Sequence, residues 1–566
     1  MVRKLLSAAG SRGLRELPLV VGIVLGLGRL WRDGDWMQPG WHPAGFDARE
    51  HLQSAWLAAH HVEVGFPIFR AATWPWAAGT LGERFGYVTA AQVLSSAGVA
   101  GIVAGAGLLA RALGGAWSGG TAALLVSAAP PLLLASRWTT PYPSVAGFVA
   151  LCLGAGAIAA RSGSAVAAGL AALLGGVATA ADDRALLPVA GALLAALTGL
   201  LQVPSRARGA LLVLALALAA VGPALESRVA VVPQAPLEWR MKMQRSNDLR
   251  SIEGSGRAGL AAACREEPRE ATPTLAALRR PCGTAFRETN LLALKALVPV
   301  PPVWLLACAA LCLLPARRWR SAPLASAALV GPTLAVLALL VHWVSLSDRY
   351  VLSSLVVLAA LPPVAAARLA SWAPGRLAAP AAAVGCLVVL AVLGRHGLPA
   401  SLRGEAADDP RSWAIVPELR ARVPREAPLL DCSGRGFAPA LLPNLHGQTA
   451  AQLSMSDYRP CARWVEEAPA EAWVVTGSIC AAGPGCTSCE DYVAPPLSMD
   501  CRRVVAEGCA GLDSAGLARL GWVREVRTPG ASNCTEAAAL WRRVPATAPA
   551  TAPATAPATA PAGSPP

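Results

Sequence analysis

The chain has 566 residues, of which 54% are hydrophobic and only 15% are charged, and its mean hydropathy is +0.46. Soluble globular domains carry about 25% charged residues, so this composition excludes an ordinary soluble protein. The net charge of +14 does not indicate a nucleic-acid-binding protein, because neither a clustered basic face nor a known binding module accompanies it. We therefore expect a membrane protein whose partners include membrane lipids and no nucleic acid.

Apolar runs recur from residue 14 to residue 394, and about twenty such residues cross a hydrocarbon core of about 30 Å. The first run, Leu17 to Leu30, lacks a following small-residue cleavage site, which favours a first span over a cleaved signal peptide. The sequence predicts a mainly α, polytopic fold of about 11 transmembrane helices within residues 1–394. The ten further predicted spans are approximately 87–110, 117–135, 143–160, 164–181, 185–202, 209–225, 291–314, 322–345, 350–371 and 377–394.

Arginine placement orients these spans. With a cytoplasmic N-terminus, every predicted internal loop carries arginine, which matches the positive-inside rule. These arginines are Arg111, Arg161, Arg206, Arg208, Arg317, Arg318, Arg320, Arg368 and Arg376. We therefore expect a multi-pass protein of the bacterial inner membrane. The predicted outer segments are 31–86, 136–142, 182–184, 226–290, 346–349 and, in the periplasm, 395–566.

The fourteen cysteines agree with this topology. Four lie inside apolar runs, where a thiol usually acts as a small buried hydrophobe. The other ten fall in predicted outer segments, two in 226–290 and eight after residue 395, and even counts are typical of disulfides in an oxidising compartment. A disulfide between Cys264 and Cys282 is expected, with two unpaired thiols as the alternative. The CxxC pair Cys486 and Cys489 favours a disulfide framework over a redox or zinc motif, because no second CxxC completes a zinc site.

Residues 395–545 predict a small, disulfide-rich α/β domain outside the membrane. Strand-like runs at 427–430, 472–476 and 539–544 alternate with helix-like segments at 409–423 and 513–520. Residues 546–566 are Ala, Thr and Pro repeats that bury too little apolar surface to fold, so we expect a disordered tail.

Ionisable groups at membrane depth are costly, so those at the span ends are the candidates for function. The topology predicts that four polar groups face one outer cavity. They are Asp47 with Glu50 and His51; Arg137 to Tyr142; Asp182, Asp183 and Arg184; and His342 with Asp348, Arg349 and Tyr350.

The first of these groups has helical spacing. Asp47, Glu50 and His51 stand at i, i+3 and i+4, on one face of a helix. The apolar residues that follow, among them Leu52 and Trp56, predict an amphipathic helix at the outer interface. The alternative is a solvated charged face on which Asp47 caps the helix.

These features resemble the GT-C membrane glycosyltransferases, and the chain is most similar to their protein mannosyltransferase and aminoarabinose transferase branch. An Asp-Glu pair often occurs in the first outer loop of that family; here Ala48 follows Asp47 and the second acid stands at Glu50. The resemblance rests on Phe46-Asp47-Ala48-Arg49-Glu50-His51, Asp182-Asp183-Arg184 and Asp348-Arg349-Tyr350-Val351-Leu352.

The resemblance implies transfer of a sugar, with inversion, from a polyprenyl-phosphate-linked donor to a protein, lipid or glycan acceptor on the outer face. It implies that Asp47 is the general base and that Arg184 or Arg349 stabilises the departing phosphate. The cofactor is not identified at this point, and a divalent metal ion held by Asp47, Glu50 and His51 is left open. The implied substrate-binding residues are Glu50, His51, Asp182, Asp183, Arg184, His342, Arg349 and Tyr350.

Other interpretations of the same residues stay open. Arg184 and Arg349 could serve only to pair with Asp183 and Asp348 at span ends. A lipid-linked glycan polymerase or ligase also uses polyprenyl carriers, but the acid-rich first loop argues against it. A transporter would need broken half-helices in related halves, and no internal repeat is visible. A noncatalytic envelope scaffold or receptor is the remaining alternative.

Overall fold

The computed structural model describes residues 2–34, 36–37, 48–59, 71–200, 205–229, 302–314, 322–343, 348–394, 415–424, 427–432, 459–477, 514–528 and 538–544. The predicted outer loop 226–290, beyond residue 229, and the predicted tail 546–566 lie outside these residues.

The region predicted to cross the membrane is helical. Each predicted span contains a helix, and the span at 117–135 contains two. The break falls at Ala129, which is extended because Pro130 and Pro131 follow it, and a residue before proline is disfavoured in a helix. The helices are α1 (Val2–Gly34), α2 (Ala48–Ala59), α3 (Thr73–Phe85), α4 (Tyr87–Gly114), α5 (Ala116–Ser127), α6 (Pro130–Ala135), α7 (Tyr142–Ser162), α8 (Ala165–Ala181), α9 (Leu186–Leu200), α10 (Ser205–Val229), α11 (Pro302–Cys312), α12 (Ala322–Trp343), α13 (Asp348–Ala370) and α14 (Ala378–Gly394).

Four stretches of the described helices are long and apolar enough to cross a membrane: Tyr87–Gly114, Tyr142–Ser162, Leu211–Val229 and Val351–Ala370. Four shorter apolar stretches accompany them: Ala165–Ala181, Leu186–Leu200, Ala322–Ala338 and Ala378–Leu393. The mainly helical fold is therefore confirmed, with four stretches among the described residues that could cross a membrane, and the count of about 11 spans stays a prediction.

Helices α4 and α7 form the centre of the bundle through an unusually close crossing. A Cβ atom at Gly98 would overlap the carbonyl of Pro143, and one at Gly105 would overlap the backbone of Ala150. Small residues at such spacing let two membrane helices approach closely enough for backbone contact. This crossing positions the N-terminus of α7, where Tyr142 begins the helix.

The C-terminal region contains helix α15 (Ile415–Arg422) and a four-stranded mixed sheet. Its strands are β1 (Leu429–Cys432), β2 (Trp473–Gly477), β3 (Trp522–Thr528) and β4 (Ala538–Arg543), in the order β1-β2-β4-β3. The β1–β2 pair is parallel and the other two pairs are antiparallel. Strand β3 and helix α16 (Arg459–Glu467) were not predicted; α17 (Ser514–Arg519) lies within a predicted helical segment.

The C-terminal domain packs on the first outer segment. Leu52, Trp56 and Trp74, from α2 and α3, belong to the same buried apolar cluster as Leu419 of α15 and Trp473 of β2. The two segments therefore lie at the same end of the helix bundle, as their predicted placement outside the membrane requires.

The four cysteines predicted to be small buried hydrophobes are all free thiols. Cys152, Cys312 and Cys386 are buried and Cys308 is half-buried. The side chains of the other ten cysteines lie outside the described part of the chain. The disulfide framework therefore stays a prediction.

Candidate functional site

Tyr142, the first residue of α7, is the meeting point of the predicted site. The ring of His51 lies edge-on to its ring, with the centroids 5.6 Å apart. The guanidinium carbons of Arg184 and Arg349 lie 5.2 Å and 5.5 Å from the same centroid. One member of each of the four predicted polar groups is therefore present at this ring, and the sequence prediction of a shared location holds for these residues.

Hydrogen bonds from α4 hold the segment that leads into Tyr142. Side chains on one face of α4 donate to main-chain carbonyls of residues 136–140, a segment in which Trp138, Thr139 and Thr140 are almost fully buried. The Ser144 hydroxyl donates in return to the Leu94 carbonyl at 3.0 Å. The bonds from α4 are Gln92 Nε2 to Arg137 O (3.1 Å), Ser95 Oγ to Thr140 O (3.3 Å) and Ser96 Oγ to Ser136 O (3.2 Å).

His51 occupies the packed face of α2. It is 1% exposed, shares this face with Leu52, Ala55 and Trp56, and lies 5.6 Å from the Trp74 ring centroid in an edge-on arrangement. The predicted helix is present as α2. His51, however, lies on its buried face and not on the polar face that the sequence predicts. The ring contacts two aromatic side chains, Trp74 of α3 and Tyr142 of α7, which lie on this side of α2.

Arg184 is held by Asp182. Asp182 ends α8 in an extended conformation, and a short helical turn, Asp183–Ala185, follows. The Arg184 side chain donates from Nε to Oδ1 at 2.9 Å and from Nη2 to Oδ2 at 2.5 Å, and its amide also donates to Oδ1. The pairing partner is thus Asp182, whereas sequence reasoning considered Asp183.

Arg349 reaches Tyr142 from a different helix. It is the second residue of α13 and is half-buried. Its guanidinium and that of Arg184 lie beside one aromatic ring that attracts both cations, and the Asp182 carboxylate balances the charge of Arg184. Planar guanidinium groups offer paired N–H donors that match phosphate geometry. The arrangement can therefore bind an anionic group at the end of the bundle.

The Glu226 carboxylate, which sequence reasoning missed, holds the start of α3 beside this site. Glu226, near the end of α10, accepts hydrogen bonds from the amides of Ala72 (2.7 Å) and Thr73 (2.8 Å) and from the Thr73 hydroxyl. It thereby satisfies the first N–H groups of α3, the helix that presents Trp74 to His51. Its position directly after the predicted span 209–225 was the available signal, since a carboxylate there needs a partner.

Other predicted site groups are not described. Asp47 and the side chains of Glu50, Asp183, His342 and Tyr350 lie outside the described residues. Of the three proposed metal ligands, only the His51 side chain is described, and it packs between aromatic rings. The described side chains include no group of three His, Cys, Asp or Glu residues that could hold a metal ion. The metal site therefore stays a prediction.

No family model and no curated protein matches the chain. The proteins of known structure that are similar to it include two membrane enzymes. The aminoarabinose transferase ArnT from Cupriavidus metallidurans, bound to undecaprenyl phosphate, is 14% identical with a TM-score of 0.48, over 81% of this chain and 92% of that one. The oligosaccharyltransferase from Archaeoglobus fulgidus, tethered with an acceptor peptide, is 12% identical with a TM-score of 0.43, over 88% of this chain and 72% of that one. Both are GT-C membrane glycosyltransferases.

Proposed function

We propose that this protein is an integral membrane glycosyltransferase that transfers a sugar from a polyprenyl-phosphate-linked donor to a protein, lipid or glycan acceptor. The observation that carries the proposal is the meeting of His51, Arg184 and Arg349 at Tyr142. Each of these three residues stands in one of the three motifs that resemble the GT-C glycosyltransferases. Their meeting at one end of a membrane helix bundle is what a reaction on a lipid-linked phosphate requires.

Arg184 and Arg349 receive the phosphate of the donor. When the bond between the anomeric carbon and the phosphate oxygen breaks, the electron pair stays on that oxygen and negative charge grows there. Two fixed guanidinium groups stabilise this charge more in the transition state than in the bound donor, which lowers the barrier. Asp182 orients one of them through its paired hydrogen bonds.

Asp47 receives the proton of the acceptor. It directly precedes the first residue of α2 and stands four residues before His51, which faces Tyr142. As the acceptor oxygen or nitrogen forms its bond to the anomeric carbon, its proton passes to the Asp47 carboxylate. One direct displacement of this kind inverts the anomeric centre, and polyprenyl phosphate leaves.

The test of the base uses Asp47→Asn, with Asp33→Asn as the matched control because Asp33 pairs with Arg29 and Arg32 in the last turn of α1. Purified full-length protein in lipid nanodiscs is given a panel of polyprenyl-phosphate sugars together with protein, lipid and glycan acceptors, and release of polyprenyl phosphate is measured. We expect Asp47→Asn to lower release by about 10² to 10⁴-fold and Asp33→Asn to leave it unchanged. Wild-type turnover by Asp47→Asn would remove Asp47 from this role.

The test of the phosphate site uses undecaprenyl phosphate as the probe. Arg184→Gln and Arg349→Gln are compared with Arg228→Gln, which removes an exposed arginine from the last turn of α10. We expect binding, measured by native mass spectrometry, to weaken for the first two variants only. If wild-type protein neither binds this lipid nor releases it from any donor, the proposed function is wrong and the scaffold or transporter interpretation gains.

A further inference from the structure

We infer that the end of the bundle opposite Tyr142 holds a second anion site, centred on Arg368, that binds a phosphate group. Helix α13 connects the two ends: Arg349 is its second residue and Arg368 lies in its last turn. Nineteen residues of helix cover about 28 Å, close to the thickness of a hydrocarbon core. The inference does not depend on the reaction proposed above.

Arg368 is a buried cation with two guanidinium nitrogens that have no hydrogen-bond partner within the described part of the protein. The residue is 3% exposed, and its Nε and Nη2 atoms are both buried without a hydrogen bond to any described group. The nearby Ser371 hydroxyl donates to the Arg368 main-chain carbonyl and so forms no hydrogen bond with the guanidinium group. A buried charge without a partner is strongly unfavourable, so an arginine at this depth indicates an anion that accepts from it.

The surroundings of Arg368 add positive charge. Ala367 lies beside the C-terminal end of α4, where a Cβ atom on Gly114 would come within 3.2 Å of the Ala367 Cβ. The same helix end receives Arg161, whose Nη1 donates to the Ala112 carbonyl at 2.8 Å. The turn that carries Arg368 and the side chain of Arg161 thus both lie at the C-terminal end of α4. The region therefore brings two cations together.

The described carboxylate near this helix end is already engaged. Glu16 of α1 accepts from Arg111 at 2.8 Å and 2.6 Å, a paired arrangement that uses both of its oxygens. The sequence offers no substitute, because the predicted loops at this end contain arginine but no Asp or Glu. These loops are 111–116, 161–164, 203–208, 315–321 and 371–377. The missing counter-charge therefore comes from outside the chain.

A phosphate group suits this position. It presents several oxygen acceptors to the planar guanidinium group and carries the negative charge that balances Arg368 and Arg161. Two sources supply such a group at a membrane surface, the headgroup of an anionic phospholipid and free phosphate. Both satisfy the same donors, and the composition of the nanodisc separates them.

The experiment measures the thermal midpoint of the full-length protein in nanodiscs of phosphatidylcholine, of phosphatidylcholine with phosphatidylglycerol, and of phosphatidylcholine with added inorganic phosphate. The variants are Arg368→Gln and, as a control with the same loss of charge, Arg376→Gln, because Arg376 is exposed in the loop after α13. Arg368→Lys serves as a third variant that keeps the charge but lacks the fork.

We expect phosphatidylglycerol or phosphate to raise the midpoint of wild type and Arg376→Gln, and to raise that of Arg368→Gln by much less. A rise with the lipid alone identifies a headgroup, and an equal rise with inorganic phosphate identifies the free anion. Arg368→Lys should show an intermediate shift, and it carries the test if Arg368→Gln does not fold. An equal shift in wild type and Arg368→Gln, or no shift of wild type with either probe, would overturn the inference.

Discussion

The guanidinium carbon of Arg349 lies 5.5 Å from the centroid of the Tyr142 ring, and the two residues begin different membrane helices. The ring face is negative and holds the cation by an attraction of about 0.5–2 kcal/mol. Arg184 is attracted by the same ring from a third part of the chain. The ring therefore draws two arginines from different parts of the chain to one place, and the Asp182 carboxylate fixes one of them, Arg184, through paired hydrogen bonds.

The role of the Tyr142 ring can be separated from that of its hydroxyl. Tyr142→Phe keeps the ring face, and we expect undecaprenyl phosphate binding to stay within about twofold of wild type. Tyr142→Leu removes the ring face but keeps an apolar side chain, so binding should weaken by about 2- to 30-fold. Native mass spectrometry in nanodiscs measures both. Equal damage by the two substitutions would show that the hydroxyl matters instead.

Glu226 should stabilise the first turn of α3. In Glu226→Gln one acceptor oxygen is lost, so the amides of Ala72 and Thr73 can no longer both be satisfied, at a cost of about 1–2 kcal/mol. We expect faster hydrogen exchange in peptides that cover the start of α3. The control Ser227→Ala changes the next residue, whose hydroxyl only bonds within α10. Unchanged exchange in Glu226→Gln would mean that α3 does not depend on this cap.

The close crossing of α4 and α7 should tolerate no added methyl group. At Gly98 a Cβ atom meets the backbone of Pro143, which cannot move aside without displacing the start of α7. We expect Gly98→Ala to lower stability by about 1–3 kcal/mol. At Gly331 a Cβ atom meets nothing within 4 Å, and Gly331→Ala should be neutral or slightly stabilising. The thermal midpoints of both variants are measured in detergent. A midpoint of Gly98→Ala that is not below that of Gly331→Ala would contradict the close crossing.

The pair of Glu16 and Arg111 should make stability depend on pH. The hydrogen bond from Arg111, together with its charge, lowers the pKa of the Glu16 carboxyl below its ordinary value. The stabilisation is therefore present above the ordinary pKa and is lost as the pH falls through the lowered one. We expect Glu16→Gln to be less stable than wild type at neutral pH and to converge with it in acid. Both side chains are more than a third exposed, so the effect should be modest. Parallel midpoint curves for the two proteins would contradict it.

The helices and the grouping of Arg184, Arg349 and Tyr142 could be predicted because both depend on the length of each apolar run in the sequence. Each apolar run ends where polar residues begin, and successive runs return those ends to the same side. The face of α2 that carries His51 could not be predicted in this way. Its burial is decided by Trp74 and Tyr142, which contact it from other helices.

Strand β3 shows a second limit. Its residues 522–528 include Arg524, Glu525 and Arg527, which hide the alternation that indicates a strand. Pairing with β4 stabilises it, and the Arg542 side chain donates to Glu525 across the pair at 2.9 Å. Such a contact joins residues far enough apart in sequence that no local pattern records it.

The shared apolar cluster of α2, α3 and the C-terminal domain has a consequence for biosynthesis. Residues 52–56 leave the ribosome well before Leu540, which belongs to the same cluster but lies far later in the sequence. At roughly 5–20 residues per second, about 25–100 s separate them. Throughout that interval Leu52 and Trp56 lack the surface that finally covers them, so a nascent chain arrested before the C-terminal domain presents an aromatic patch that chaperones and proteases can recognise.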